Sequence, residues 1–309
     1  MKPSINLLEQ AKQLGLRALT LVEGLRVGDQ ASPLRGFSVE FAQHREYVPG
    51  DDLRHIDWRG YARTERYIVK QYEQETNFTA HLLLDLSGSM AYGKAGQSKH
   101  EQARVLAAVV AHVAVSQGDA VGLKTLDEPG YTARLAQFQP STKPDRLRLL
   151  LEQVTSLQPQ AERESEQSVP VVAPAVRQLA ERLTRKGVVA IFSDFFEPWQ
   201  PLLAELHQLR ARGQDVLLFH ILHGDEIDLP WEGQVLFEDL ESSGALITRP
   251  HLLRASYKAE IQKWQQKMQD SCTRLQIEYA LVRSEAPPDD TVLTLLARRL
   301  SKRRIGRVS

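Results

Sequence analysis

HLLLDLSGSM, His81 to Met90, reads as a strand running into a loop of small oxygen-bearing residues. Leu82, Leu83 and Leu84 form an apolar run of strand length. Asp85, Ser87 and Ser89 follow as D-x-S-x-S, with Gly88 loosening the turn. A carboxylate and two hydroxyls on a tight turn are hard donors, the kind Mg²⁺ takes into a near-octahedral shell that keeps several waters. Three such side chains leave room for water and for a ligand from elsewhere. Composition alone yields the pattern in roughly one chain in ten of this length, so its context must carry the reading. A second apolar run, Val188 to Phe192, ends in Ser193-Asp194. Two strands then each deliver an acidic residue at the C-terminal end, the edge where open α/β sheets bind ligands.

The rest of the chain supports such a sheet. Strand-like runs at Asp119–Leu126, Val188–Phe192, Asp215–Leu222 and up to Val282 alternate with helical patterns at Ala103–Ser116, Pro144–Leu157, Val171–Arg185, Trp199–Arg212 and Leu252–Arg274. That alternation predicts βα units and a mostly parallel sheet flanked by helices. Ser98-Lys99-His100-Glu101 reads as a capping box opening the first of these helices. The Ala103–Ser116 pattern is apolar nearly all round, which marks a central helix. Tyr131–Phe138 is expected to be an antiparallel partner strand, and Gly233–Leu240 with Ala245–Thr248 a pair of short strands about a Ser/Gly turn. Outside this block, residues 5–25 carry apolar positions at helical spacing and Asp290–Arg303 is a further expected helix. Gln158–Ser168 is polar and loop-like. The division expected is an N-terminal module over residues 1–76 and an α/β domain over 77–309.

Composition narrows the function. With 309 residues the chain can bury a full core. Its 39 basic and 39 acidic side chains cancel, so no global charge favours nucleic acid or membrane. Cys272 is the only cysteine, which precludes an intrachain disulfide and fits a reducing cytoplasm. The longest apolar region is too short to span a bilayer. There is no G-x-x-x-x-G-K-[ST] or G-x-G-x-x-G run, hence no nucleotide or dinucleotide signature and no small-molecule cofactor to expect.

Two resemblances follow from these residues. The D-x-S-x-S loop followed by a later acidic residue resembles the metal-ion-dependent adhesion site of von Willebrand factor A-like domains. The resemblance implies Asp85, Ser87 and Ser89 on the first metal loop and Asp194 on the third, with Mg²⁺ between them. The middle loop departs from that family's threonine pattern: the chain reads SVPVVAPAV, with Pro170 near the expected threonine, and Ser168 is the nearest hydroxyl. An isolated chain is therefore expected to bind the ion weakly. The segment Glu40–Arg63, E-F-x-x-x-R-E-Y-x-P-G-D-D-x-R-x-I-D-W-x-x-x-A-R, resembles the signature of the bacterial domain-of-unknown-function fifty-eight family. That likeness implies a von Willebrand A-like α/β domain working with a MoxR-type AAA+ ATPase. The density of Arg and Asp in the signature suggests interlocking bidentate pairs, in which Asp57 and Arg63 brace the sheet.

The resulting expectation is a cytoplasmic, non-enzymatic protein–protein interaction module, an adaptor for such an ATPase, docking through a partner carboxylate that completes the Mg²⁺ shell. A hydrolase using the Asp85/Ser87 loop is the alternative from a different class. It requires a base, and the loop lacks nucleophile-elbow spacing. His220 follows a buried strand and is the candidate base, although a satisfied core histidine is the plainer account. A nucleic-acid module built on the basic tail, Lys302 to Arg307, is a third possibility.

Overall fold

A computed structural model describes residues 40–46, 67–73 and 78–286, apart from 117, 127–137, 142–143, 160–171, 184 and 242–243, together with the single residues 13 and 61. The expected helices over 5–25, residue 13 apart, and Asp290–Arg303 lie outside the described residues, as do Ser168, Asp57 and Arg63.

In chain order, β1 (Glu40–Glu46) and β2 (Ile68–Glu73) form an antiparallel pair of their own. The main sheet begins at β3 (Thr79–Asp85), which leads through a short 3-10 turn (Gly88–Ala91) into α1 (Lys99–Ser116). Then come β4 (Ala120–Leu126), β5 (Phe138–Ser141), α2 (Pro144–Ser156), α3 (Val172–Arg182) and β6 (Gly187–Ser193). The chain continues through α4 (Trp199–Ala211), β7 (Asp215–Leu222), a short α5 (Gly224–Asp228), β8 (Val235–Glu238), β9 (Ala245–Thr248), α6 (Pro250–Arg274) and β10 (Glu278–Arg283).

Among the described residues six strands make the central sheet, in the order β10-β7-β6-β3-β4-β5. Every pairing is parallel except β4 with β5. This is the expected α/β architecture. The antiparallel partner of β4 spans 138–141, whereas residues 131–137 lie outside the described residues. Pro140 suits that edge position, because it has no N–H to give to a further strand.

Strand alternation assigns the two faces. Leu82 and Leu84 of β3 pack with Phe192, Phe219, α1 and α2 on one side. Leu83 points the other way, into Ile191, Leu218, α3, α4 and the Met268–Cys272 turn of α6. Seven consecutive α1 residues, Val105 to Ala111, are all buried, which accounts for a helix apolar nearly all round. Strand and helix starts follow local chemistry. Ser98 and Glu101 form the capping box at α1: the Glu101 amide donates to Ser98 Oγ at 3.2 Å and the Ser98 amide to Glu101 Oε2 at 3.2 Å. α2 and α6 each open with a proline, whose missing N–H is one that no helix start uses. β8 and β9 pair antiparallel in a third, separate sheet. No helix among the described residues is long and apolar enough to cross a membrane.

Candidate functional site

The topology decides where the polar loops meet. From β3 the chain moves outward to β4 and β5, then returns across β3 to β6 and continues outward through β7 to β10 on the other side. The reversal leaves a crevice between the C-terminal ends of β3 and β6, the position at which open α/β sheets take ligands. Asp85 ends β3, and Ser193-Asp194 stands at the end of β6. The expected pairing of the two acidic loops at one edge is therefore present, on adjacent strands in register (Leu84 opposite Phe192).

Asp85 is buried at the end of β3. One carboxylate oxygen accepts from the Ser87 amide at 2.9 Å, and the other accepts from the Ser193 hydroxyl at 2.5 Å. Burial, with the Asp194 charge added, pushes its carboxyl up to about 7 despite those hydrogen bonds. Ser193 also accepts from the Phe195 amide at 3.0 Å. That bond steadies a turn in which Phe195 adopts φ 52°, a left-handed conformation that costs a non-glycine residue energy and persists where the surroundings enforce it. Ser87 and Ser89 turn their hydroxyls toward each other at 3.1 Å. The Ser89 amide faces the Glu241 carboxylate at 3.4 Å, so the turn between β8 and β9 reaches this loop.

Asp194 has a partner that the sequence reading did not anticipate. Lys99, the first residue of α1, is completely buried. Its ammonium donates to Asp194 Oδ2 at 2.7 Å and to Glu226 Oε1 at 2.6 Å, and it lies 5.0 Å from the centre of the Phe196 ring. Burial alone would lower the ammonium's pKa, but the two carboxylates outweigh it and the net shift is upward. Burial raises the Glu226 carboxyl, against the pull of Lys99. A 2.6 Å contact to an ammonium held charged decides for ionised Glu226. The other oxygen of Glu226 accepts from the His223 amide at 2.8 Å, in the capping box that opens α5. Asp194 Oδ1 accepts from the Phe196 amide at 3.3 Å.

Toward Mg²⁺ the donor set divides in two. Ser87, Ser89 and Asp85 are gathered hard oxygens and suit the ion. Asp194 does not fit as its ligand: its Oδ2 already pairs with the buried Lys99 ammonium, a positive charge that would stand against the ion. Among the described residues no three His, Cys, Asp or Glu side chains converge as a metal site. His220 is fully buried, its Nδ1 lies 2.6 Å from the Tyr279 hydroxyl, and burial lowers its pKa to about 3. It is a core histidine, and the Ser87 hydroxyl meets Ser89 instead.

An open, mostly parallel α/β domain with a polar crevice at its switch point is the class these features define. The chain belongs to the family described as Protein of unknown function DUF58, whose pattern matches residues 43–267. Among its relatives is the uncharacterized protein Mb1516 of Mycobacterium bovis, 28% identical over 233 residues, which are 75% of this chain and 70% of the relative. The uncharacterized protein Rv1480 of Mycobacterium tuberculosis is equally similar, at 28% over the same length and coverage. Similar solved structures include a conserved hypothetical protein, BatB, from Bacteroides thetaiotaomicron, with a TM-score of 0.46 at 15% identity, covering 73% of this chain and 98% of that one. Another is an aerotolerance-related membrane protein from Bacteroides fragilis, with a TM-score of 0.45 at 18% identity, covering 73% and 99% of the two chains.

Proposed function

We propose that the chain is a non-enzymatic protein-interaction module of von Willebrand A-like type, which docks its partner at the rim of the β3/β6 crevice. The observation that supports this reading is how the crevice polar groups are spent. Asp85 is bound by Ser87 and Ser193, Asp194 by Lys99, and the Ser87 hydroxyl pairs with Ser89. Nucleophilic catalysis needs a hydroxyl held by a base, and this loop holds its hydroxyls by one another. What faces outward is a contact surface. Phe196 is 48% exposed beside the rim and stacks on Trp264 with ring centres 5.6 Å apart.

The partner proposed is a MoxR-type AAA+ ATPase, on the strength of the family resemblance carried by Glu40–Arg63. The test is a titration of the purified chain with a purified MoxR-type AAA+ ATPase. Saturable binding that weakens in Ser89→Ala and in Phe196→Ala, with folding preserved, supports the reading. Hydrolysis of generic esters or phosphates that disappears in Asp85→Ala overturns it in favour of a hydrolase. Binding that both rim substitutions leave untouched moves the contact surface elsewhere.

A further inference from the structure

We infer that Lys99 is the resident cation of the crevice, holding by a covalent tether the place beside Asp194 that the adhesion-site likeness gives to Mg²⁺. The contact geometry carries this. A divalent ion at the third loop needs a carboxylate oxygen, and Asp194 Oδ2 is 2.7 Å from the Lys99 ammonium. The ammonium is not a passing surface charge. Its side chain is wholly buried, and its second carboxylate, Glu226, at 2.6 Å, comes from a separate helix. The face of the Phe196 ring, 5.0 Å away, adds a further favourable contact to a cation.

Its backbone is equally fixed. The Lys99 amide donates to the Tyr92 carbonyl at 3.0 Å, closing the loop that follows D-x-S-x-S. The Tyr92 hydroxyl in turn donates to Asp225 at 3.1 Å, on the same short helix as Glu226. Lys99 thus joins three elements: its amide holds the loop after D-x-S-x-S, and its ammonium holds the third loop and α5. In an ion-bridged site a metal would sit beside Asp194; here the Lys99 ammonium takes that position. A divalent ion placed on Asp194 would stand against a buried positive charge, whose repulsion is strong where water is excluded. The consequence is a crevice whose Asp194 side is permanently assembled and does not answer to the concentration of divalent ions.

This inference does not depend on the identity of the partner, and its test needs none. Thermal melting of the full chain and Mn²⁺ binding, followed by loss of the free-ion EPR signal, are measured in the wild type, in Lys99→Met and in the paired variant Lys99→Gln/Glu226→Gln. The paired variant removes one charge of each sign and leaves Asp194 uncompensated. In the wild type, melting is expected to be the same in EDTA and in about 10 mM Mg²⁺, since an ion that does not bind the folded state cannot stabilise it. Any residual Mn²⁺ binding should survive Asp194→Asn. Both Lys99 variants should melt lower than wild type, recover with added Mg²⁺, and bind Mn²⁺ at least about tenfold more tightly in a manner that Asp194→Asn abolishes. Wild-type binding of Mn²⁺ that Asp194→Asn abolishes would overturn the inference, because the ion and Lys99 would then share the carboxylate. So would an absence of ion response in whichever Lys99 variant folds. If neither variant folds, the wild type with and without Asp194→Asn decides alone.

Discussion

His100 offers a measurement in which one buried group reports on the α1 packing. Its Nε2 lies 3.0 Å from the Leu157 carbonyl, an arrangement in which Nε2–H is the donor. Nδ1 is buried and, among the described residues, meets no hydrogen-bond partner. Protonation would put a charge on that nitrogen in an apolar setting. Burial first, and then the Arg104 charge, bring the pKa down to about 4, against the weaker pull of Leu157 and Glu101. The unfolded chain titrates near the ordinary histidine value of about 6.5. Between those values the unfolded state binds the proton and the folded state does not. The stability contributed by neutral His100 is therefore full above 6.5 and is lost as pH falls toward 4. Each pH unit in that window is worth about 1.4 kcal/mol, so about 2 kcal/mol is gone by about pH 5 and about 3 kcal/mol by about pH 4. The perturbation is His100→Gln, whose amide can still donate to Leu157 and cannot titrate. Urea unfolding of both proteins at about pH 8 and about pH 5 isolates the effect, since every other titrating group is common to the pair. The advantage of wild type over variant should shrink by about 2 kcal/mol at the lower pH. An unchanged difference, within about 0.5 kcal/mol, would refute the assignment of a buried neutral histidine at this position.

Further outcomes follow from the sheet and its edge. Gly187→Ala would drive a Cβ into the Thr79 carbonyl on the neighbouring strand, and overpacking between paired backbones should cost about 1–3 kcal/mol by urea unfolding; a neutral effect would mean the β3/β6 register differs. Phe192→Ala empties a fully buried site stacked on Phe219 at 4.8 Å, for which about 3–5 kcal/mol is expected, and less than about 1 kcal/mol would place this ring outside the core. Ser193→Ala takes a donor from Asp85 and an acceptor from the Phe195 amide. It should cost about 1–3 kcal/mol in thermal or urea unfolding, whereas an unaffected melting temperature would show that Asp85 needs no such partner.

The fold was legible because its determinants are local. Leu82–Leu84 and Val188–Phe192 are apolar runs of strand length, and the intervening helical patterns leave a parallel sheet as the way to join them. The capping box at Ser98–Glu101 and the proline opening α2 marked two helix starts from a few residues each, while α6 begins at Pro250, two residues before the expected Leu252. α5 was not legible. Five residues are too few for a helical period to show, and its capping box uses His223 where a serine, threonine or acid is the familiar sign. Of the expected partner strand Tyr131–Phe138 only Phe138 is described, and from there β5 runs to Ser141 with its register to β4 shifted between Val121 and Leu123.

At the site, the same distinction separates Asp85, Ser87, Ser89 and Asp194 from Lys99, Glu226 and Glu241. The first four sit on two strand ends, and strand ends can be read from apolar runs. The other three are brought in by long-range contacts: Lys99 reaches Asp194 across 95 residues and Glu226 across 127, and Glu241 meets Ser89 across 152. Yet the sequence did hold a signal for Lys99. It is the first residue of a helix, where the helix dipole favours anions and opposes an ammonium. It also stands inside a capping box, directly before an apolar helix destined for the core. A cation at that end, with no water to solvate it, is a local choice that contradicts its surroundings, and such contradictions mark places where tertiary structure or function supplies the compensation. The compensation has to be anionic and buried. Asp194 was already expected at the same sheet edge, so the pair could have been drawn from the sequence. The second acid could not, because nothing before α5 shows that Glu226 returns to the crevice.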